Sequence, residues 1–150
     1  MTDDKTQRIL QDIVRRLERS FVQYIRDAFP WTTADEQKLL KEVQQLIQEE
    51  RQMIVAYSKF LARRRIRMPH LGPYPVSFTT LNYVSLEHLL PIMAEHEQQS
   101  IAALERDVTQ LSDDAEAQEQ VRKILDMKRR HLQMFEALAA AHPETASTLR

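Results

Sequence analysis

Residues 121–135 read VRKILDMKRRHLQMF, a stretch in which one charged side chain lies in the middle of an apolar helical face. Apolar residues recur there at spacings of three and four, which is the repeat of an amphipathic α-helix. They are Val121, Ile124, Leu125, Leu132 and Phe135. Lys128 lies on the midline of the same face. Because an unpaired buried charge costs several kcal/mol, we expect Lys128 to have an acidic partner in the core.

Two acidic side chains hold equivalent positions on two other helical stretches. At about 100° per residue, Glu50 and Glu97 each lie within about 40° of the apolar residues of their own stretch. All three charges lie at mid-height in their helices, so packed helices would bring them together. We therefore expect one polar layer in the core, completed by a histidine one turn from the lysine and by two tyrosines whose hydroxyl groups hydrogen-bond to it. Its predicted members are Glu50, Glu97, Lys128, His131, Tyr24 and Tyr57.

The same periodicity divides the chain into four predicted helices. They span about 4–28, 34–65, 80–111 and 114–141, and a tail over 142–150 follows. Thr33 and Glu36 are spaced as a capping box at the start of the second helix. The sequence Phe29-Pro30-Trp31 ends the first helix, because proline cannot continue the backbone hydrogen-bond ladder.

The lengths of the connections predict the topology. The first and third connections are short, as between antiparallel neighbours. The middle connection, residues 66–79, contains the structure breakers Pro69, Gly72, Pro73 and Pro75. It is long enough to cross a bundle, so the second and third helices can run parallel. The predicted fold class is therefore all-α, a four-helix bundle with one long crossover between helices 2 and 3. An up-and-down bundle with a mobile middle loop is the alternative.

The composition narrows the class of protein further. A chain of 150 residues, 43% hydrophobic and 29% charged, suits one globular domain over residues 1–150. A single glycine leaves few tight turns for a β or α/β fold. The absence of cysteine excludes disulfides, thiolate zinc sites and cysteine nucleophiles. A net charge of −1 argues against a nucleic-acid-binding protein.

Neither a membrane segment nor a catalytic motif is evident. No run approaches the roughly 18 apolar residues of a membrane-spanning helix. The first residues, MTDDKTQR, are charged and contain no hydrophobic segment, so we expect a cytoplasmic protein. No nucleophile–base pair, glycine-rich phosphate loop or zinc pattern occurs. The sequence alone does not decide whether the protein is an enzyme, and it favours one that is not.

The helix order and the charged positions resemble the ferritin-like superfamily, the group that contains ferritins, bacterioferritins and rubrerythrins. In that family, glutamates on helices 1 and 3 and a Glu-x-x-His motif on helices 2 and 4 hold two iron ions. The corresponding elements here are Glu50-x-x-Met53 on helix 2, Glu97 on helix 3 and Lys128-x-x-His131 on helix 4, with Leu17 at the centre of the helix 1 face. The resemblance covers nearly the whole chain and implies a ferritin-like bundle.

Three of the six ligand positions depart from the family pattern. A protonated lysine such as Lys128 repels a metal ion, but it can supply the positive charge that two facing carboxylates need. Met53 and Leu17 take two further positions and are not ligands of this kind. The resemblance therefore implies a bundle in which a Glu-Glu-Lys network replaces the dinuclear site, without the oxidase or iron-storage activity. We expect no cofactor and an interaction or assembly role, with a protein partner or a second copy in a homodimer.

Two alternatives remain open at this point. The first is a metal-dependent oxidoreductase of the ferritin-like type, with iron or manganese held by Glu50, Glu97 and His131. The second is an anion- or nucleic-acid-binding module that uses a cluster of arginines at the end of the second helix. These arginines are Arg63, Arg64, Arg65 and Arg67. Cations also suit the C-terminal end of a helix, which accounts for the cluster without any ligand.

Overall fold

The computed structural model describes residues 2–28, 32–82 and 84–142. Within them the fold is all-α, without a β-strand, and this confirms the predicted class. The α-helices are α1 (Asp4–Glu18), α2 (Phe21–Ala28), α3 (Gln37–Arg63), α4 (Leu86–Gln110) and α5 (Ala115–Ala140). Two 3-10 helices cover Ala34–Glu36 and Val76–Leu81. The residues 29–31 predicted to end the first helix, and the tail beyond residue 142, lie outside the described residues.

The first predicted helix, 4–28, is wrong as a single element, because it is interrupted between α1 and α2. Arg19 leaves the helical region at φ −111° and ψ 23°. The backbone N–H of Gln23 donates to the Ser20 hydroxyl at 3.2 Å, so Ser20 acts as the cap of α2. Serine competes for backbone groups in this way and favours helix starts over helix interiors. Apolar residues continue across the break, from Leu17 to Phe21, so their periodicity does not reveal it.

The start of α3 is anchored by one buried carboxylate, that of Glu36. Its Oε1 accepts a hydrogen bond from the Thr33 backbone N–H at 3.0 Å, as the predicted capping box requires. Its Oε2 accepts from the backbone N–H of Glu87, in the first turn of α4, at 3.3 Å. The same side chain therefore caps one helix and ties it to another.

A Schellman motif ends α3. The N–H of Ile66 donates to the Leu61 carbonyl at 2.9 Å, and the N–H of Arg65 donates to the Ala62 carbonyl at 3.0 Å. Arg65 itself adopts a left-handed backbone conformation, with φ 57°. Glycine usually occupies this position, because a Cβ atom makes it unfavourable. The buried Ile66 side chain supplies the hydrophobic contact that accompanies such motifs.

The connection to α4 differs from the predicted one. The predicted third helix begins near Thr80, but that residue belongs to the 3-10 helix Val76–Leu81. The α-helix begins at Leu86, where the Ser85 hydroxyl accepts from the His88 N–H at 3.4 Å. A serine cap again sets a helix start that apolar periodicity places elsewhere.

Contacts between α1 and α3 show that these two helices are antiparallel. The Tyr57 hydroxyl, in the second half of α3, donates to the Leu10 carbonyl in the middle of α1 at 2.8 Å. Arg51, earlier in α3, pairs with Glu18 at the end of α1 at 2.7 Å. Later residues of α3 therefore contact earlier residues of α1, which is the pattern of antiparallel helices.

Helix α5 runs antiparallel to both α3 and α4. Arg64, just after α3, pairs with Asp114, just before α5, at 2.7 Å. Farther back along α3, Glu50 pairs with Lys128 in the middle of α5. Helices α4 and α5 are joined by a short turn and form the most extensive helix pair. Since α5 opposes both of its neighbours, α3 and α4 point in the same direction.

The apolar core consists of two clusters stacked along the helices. One cluster is built from α1, the second halves of α3 and α4, and the first half of α5. The other is built from α2, the first halves of α3 and α4, and the second half of α5. Glu50, Glu97 and Lys128 lie between the two clusters on their respective helices. Among the described residues, no helix is long and apolar enough to cross a membrane.

The substitution Arg65→Gly should stabilise the protein. Removing the Cβ from a left-handed position relieves strain, and the greater freedom of glycine in the unfolded chain offsets part of that gain. We expect the free energy of unfolding to rise by about 0.5–1 kcal/mol. Urea denaturation measures the change, with Arg65→Ala as the matched control that removes the same charge but keeps the Cβ. Equal effects of the two variants would contradict the strain at Arg65.

Candidate functional site

A lysine ammonium group lies between two carboxylates at the centre of the protein. Lys128 Nζ donates hydrogen bonds to Glu50 Oε1 and to Glu97 Oε1, the latter at 2.9 Å. The side chains of Glu50, Glu97 and Lys128 are only 1%, 2% and 0% exposed. Helices α3, α4 and α5 each contribute one residue. The structure therefore brings together the three charges that helical periodicity assigns to one layer.

The break between α1 and α2 completes the environment of Glu50. Gln23 Nε2 donates to Glu50 Oε2 at 2.7 Å, and the Ser20 hydroxyl donates to the same oxygen at 3.2 Å. Gln23 is fully buried. Sequence reasoning missed both residues, because an uninterrupted helix would turn Gln23 away from its apolar face. The available signal was Ser20, a favoured capping residue in the middle of a long apolar repeat.

Two acceptor oxygens of the layer are not reached by any donor of the described residues. Within the described residues, Glu97 Oε2 and Gln23 Oε1 are buried and have no hydrogen-bond partner. Two carboxylates also face one ammonium group, so the fully ionised layer carries a net charge of −1. Buried acceptors of this kind cost free energy until a donor reaches them. Glu97 is therefore the least satisfied of the three charged groups.

The pKa values of the layer follow from burial and from its mutual charges. Burial raises the pKa of Glu97 to about 6, helped by the Glu50 charge and opposed by Lys128. Burial alone would lower the pKa of Lys128, but the two carboxylates outweigh it and raise that pKa above its ordinary value. Lys128 therefore stays charged near neutral pH, and Glu97 is the group that takes up a proton on mild acidification.

His131 lies close to the layer but pairs with a different residue. It is buried, and its Nε2 is 2.9 Å from Glu49 Oε2. Its ring also meets the Phe135 ring edge-on, with centroids 6.5 Å apart. Glu49 is half-exposed and was not singled out by the sequence pattern, because it lies beside Glu50 and off the midline of the α3 face.

Neither predicted tyrosine hydrogen-bonds to the layer, so that part of the prediction is wrong. The Tyr57 hydroxyl donates to the backbone carbonyl of Leu10. The Tyr24 hydroxyl is hydrogen-bonded to Asn82 Oδ1, on the connection that leads to α4. Both rings do contribute to the core or its edge. Periodicity places a ring on a face, but the partner of its hydroxyl depends on which backbone passes nearby.

The donor set at the layer does not fit a metal ion. The ammonium group of Lys128 already lies between Glu50 and Glu97, and it would repel a cation placed there. His131, the third predicted ligand, is engaged by Glu49. Across residues 2–28, 32–82 and 84–142, no three His, Asp or Glu side chains are grouped so that they could hold a metal ion. This geometry does not support the ligand set Glu50, Glu97 and His131.

The arginine cluster at the end of α3 consists of one partly buried, ion-paired residue and three exposed ones. Arg64 donates to both Asp114 oxygens, at 2.7 and 2.8 Å, and to Glu116 at 2.9 Å. The hydrogen bonds that Arg64 donates to Asp114 raise the pKa of Arg64, although burial opposes this shift. Arg63, Arg65 and Arg67 are exposed. Because Arg64 joins the ends of α3 and α5, a four-arginine anion site is not formed.

No protein-family model matches this chain, and comparison with curated proteins and with solved structures gives no significant match. The resemblance to the ferritin-like superfamily therefore stays a prediction, based on the helix order and on the positions of Glu50, Glu97 and His131 in the sequence. The chemistry of the buried layer is the firmest guide to function. The charged groups of the layer pair with one another, and among the buried atoms of the described residues Glu97 Oε2 is the charged one without a hydrogen-bond partner.

Replacing Lys128 by methionine should strongly destabilise the protein. Lys128→Met leaves two buried carboxylates without a cation, and breaking a buried pair in this way costs about 3–5 kcal/mol. Urea denaturation at neutral pH measures the free energy of unfolding. Lys123→Met, at an exposed position on the same helix, is the matched control and should change little. A small effect of Lys128→Met would show that the ion-paired layer is not formed.

The titration of Glu97 should appear in the pH dependence of stability. The folded protein binds this proton with a pKa of about 6, above the ordinary value of 4.5, so it holds more protons than the unfolded chain between those pH values. Stability should therefore fall by about 2 kcal/mol as pH rises through this range, relative to Glu97→Gln, which cannot titrate. Parallel denaturation curves at several pH values measure the difference.

The control for this experiment is the exposed neighbour Glu95. Glu95→Gln should follow the wild-type dependence on pH, because it leaves the buried layer intact. If Glu97→Gln followed the wild-type curve as well, Glu97 would not be the group that takes up the proton.

Proposed function

We propose that the chain is a ferritin-like four-helix bundle in which α1 and α2 together occupy one helix position. Two observations support this arrangement. Helices α3 and α4 point in the same direction, as a crossover connection requires, and α5 opposes both. The connection between α3 and α4 is long, whereas the turn between α4 and α5 is short. A one-crossover topology accounts for both lengths.

We further propose that this bundle is not catalytic and that a salt bridge replaces its metal site. The observation that carries the proposal is the Lys128 ammonium group between Glu50 and Glu97. It supplies the charge that metal ions supply to facing carboxylates in the ferritin-like pattern. Gln23 and Ser20 present an amide and a hydroxyl to Glu50, on the segment where that pattern has a glutamate. Neutral groups there suit an ammonium group better than a metal.

A stable bundle without a reaction centre is best suited to an interaction or assembly role. The layer holds α3, α4 and α5 in one register, so it keeps the outer faces of these helices in a constant arrangement. Val55 on α3 and Met134 on α5 are large apolar side chains exposed on those faces, at 43% and 49%. A protein partner or a second copy of the chain is the proposed binding partner.

The test is the metal content of protein purified without chelator and without a nickel column, measured by plasma mass spectrometry. We expect no stoichiometric iron, manganese or zinc in a folded, stable sample. Near-stoichiometric iron or manganese would overturn the salt-bridge proposal and favour the metal-dependent oxidoreductase.

A designed variant tests the same proposal in the opposite direction. Gln23→Glu combined with Lys128→Glu removes the ammonium group and puts four carboxylates in the layer. We expect its melting temperature to depend on added Mn²⁺, because a bound ion stabilises only the folded state. Gln48→Glu with Lys123→Glu makes the same charge change at exposed positions and should show no such dependence. Equal responses of the two double variants would argue against a latent metal site.

A further inference from the structure

A cleft beside the polar layer connects it to the protein surface. Its volume is about 400 Å³, which is within the range of small-molecule sites. The cleft lies where the α1–α2 junction, the segment after α3 and the middle of α4 meet. Glu97 and Lys128 of the buried layer line it, together with Ser20. The cleft therefore leads from the surface towards the buried charges.

One residue that lines the cleft carries an unused hydrogen-bond acceptor. Glu97 lines the cleft, and within the described residues its Oε2 has no partner although the side chain is 2% exposed. Lys128 occupies only the other oxygen, Oε1. A buried carboxylate oxygen gains most from a donor, since hydrogen bonds to charged groups are stronger than neutral ones. A group that enters the cleft and carries an N–H or O–H would complete the layer.

The walls of the cleft are aromatic and apolar. Phe21 stacks on His96, with ring centroids 4.7 Å apart, and meets Phe78 edge-on at 5.1 Å. Burial lowers the pKa of His96, which keeps this ring neutral at physiological pH. Leu71, Pro73 and Pro75 line the same cleft from the segment after α3. An apolar body, such as an aromatic ring, suits these surfaces.

Among the described residues, one arginine that lines the cleft, Arg19, forms no ion pair with a carboxylate. Arg15 and Arg16 both pair with Asp12. Arg19 donates to the Gly72 carbonyl at 2.7 Å and lies over the Tyr74 ring at 4.9 Å. Within the part of the chain that the structure describes, it forms no ion pair. Arginine has five N–H donors, so Arg19 retains the capacity to bind an anionic group.

We propose that this cleft binds a small organic acid with an apolar body and a hydroxyl or amine group at its far end. The acid group pairs with Arg19 at the rim, the body packs against the aromatic and apolar walls, and the hydroxyl or amine donates to Glu97 Oε2. This role goes beyond the proposed interaction function and does not depend on it. It requires no partner protein, and it does not require that the buried layer descends from a metal site.

Binding of three matched aromatic compounds tests the proposal. Phloretate carries both an acid and a hydroxyl group, hydrocinnamate carries only the acid, and para-ethylphenol carries only the hydroxyl. Calorimetric titration of the full chain should give saturable binding of phloretate at one site. Each of the other two should bind about tenfold more weakly or worse, since each loses one charge-assisted hydrogen bond. The para-amino analogue of phloretate shows whether an amine or a hydroxyl is the preferred donor.

Substitutions assign the two ends of the ligand. Arg19→Gln should weaken phloretate and hydrocinnamate by about tenfold or more and leave para-ethylphenol unchanged. Glu97→Gln should weaken phloretate and para-ethylphenol more than hydrocinnamate. Arg65→Gln, which removes an exposed arginine away from the cleft, is the matched control and should have no effect.

Two outcomes would overturn the proposal. One is the absence of saturable binding of phloretate and of its amino analogue. The other is binding that neither Arg19→Gln nor Glu97→Gln weakens. If Glu97→Gln does not fold, the wild-type NMR signals of the His96 ring decide the location, because a ligand in this cleft must shift them.

Discussion

The burial of one ammonium group between two carboxylates is the constraint on which the rest of this structure depends. Lys128 has no access to water, so its charge is tolerated only while Glu50 and Glu97 remain in contact with it. That requirement sets the relative heights of α3, α4 and α5. It also explains why the apolar core is divided into two clusters, since the charged layer occupies the level between them.

The interruption of the first helix is best understood as part of the same layer. A continuous helix would leave Glu50 Oε2 without the Gln23 amide, whereas the break at Arg19 turns both Ser20 and Gln23 towards it. The cost of losing helical hydrogen bonds at the break is offset by the capping of α2 and by the hydrogen bonds to a buried charge. Local irregularity and the central charge network therefore have one physical cause.

The two functional proposals use different properties of this layer. The ammonium group makes the layer unsuited to a metal, and this favours a bundle without redox chemistry. With two carboxylates and one ammonium group the layer has excess negative charge, and Glu97, whose Oε2 has no partner in the described part of the chain, lines a cleft. The proposed small-molecule site uses this excess charge and this cleft. Neither property requires the other.

The sequence by itself determined the helical class and most helix boundaries. It also determined that Glu50, Glu97 and Lys128 each lie on the apolar face of their own helix. These features depend on the spacing of apolar residues, which is a local property of the sequence, and on the free-energy cost of burying a charge, which applies in every protein. Only the tertiary structure decided that α2 starts anew at Phe21, that His131 pairs with Glu49 and that Arg64 joins Asp114. Each of these depends on a hydrogen-bonding partner distant in the sequence or on a cap that competes with helix continuation, and periodicity carries no information about such partners.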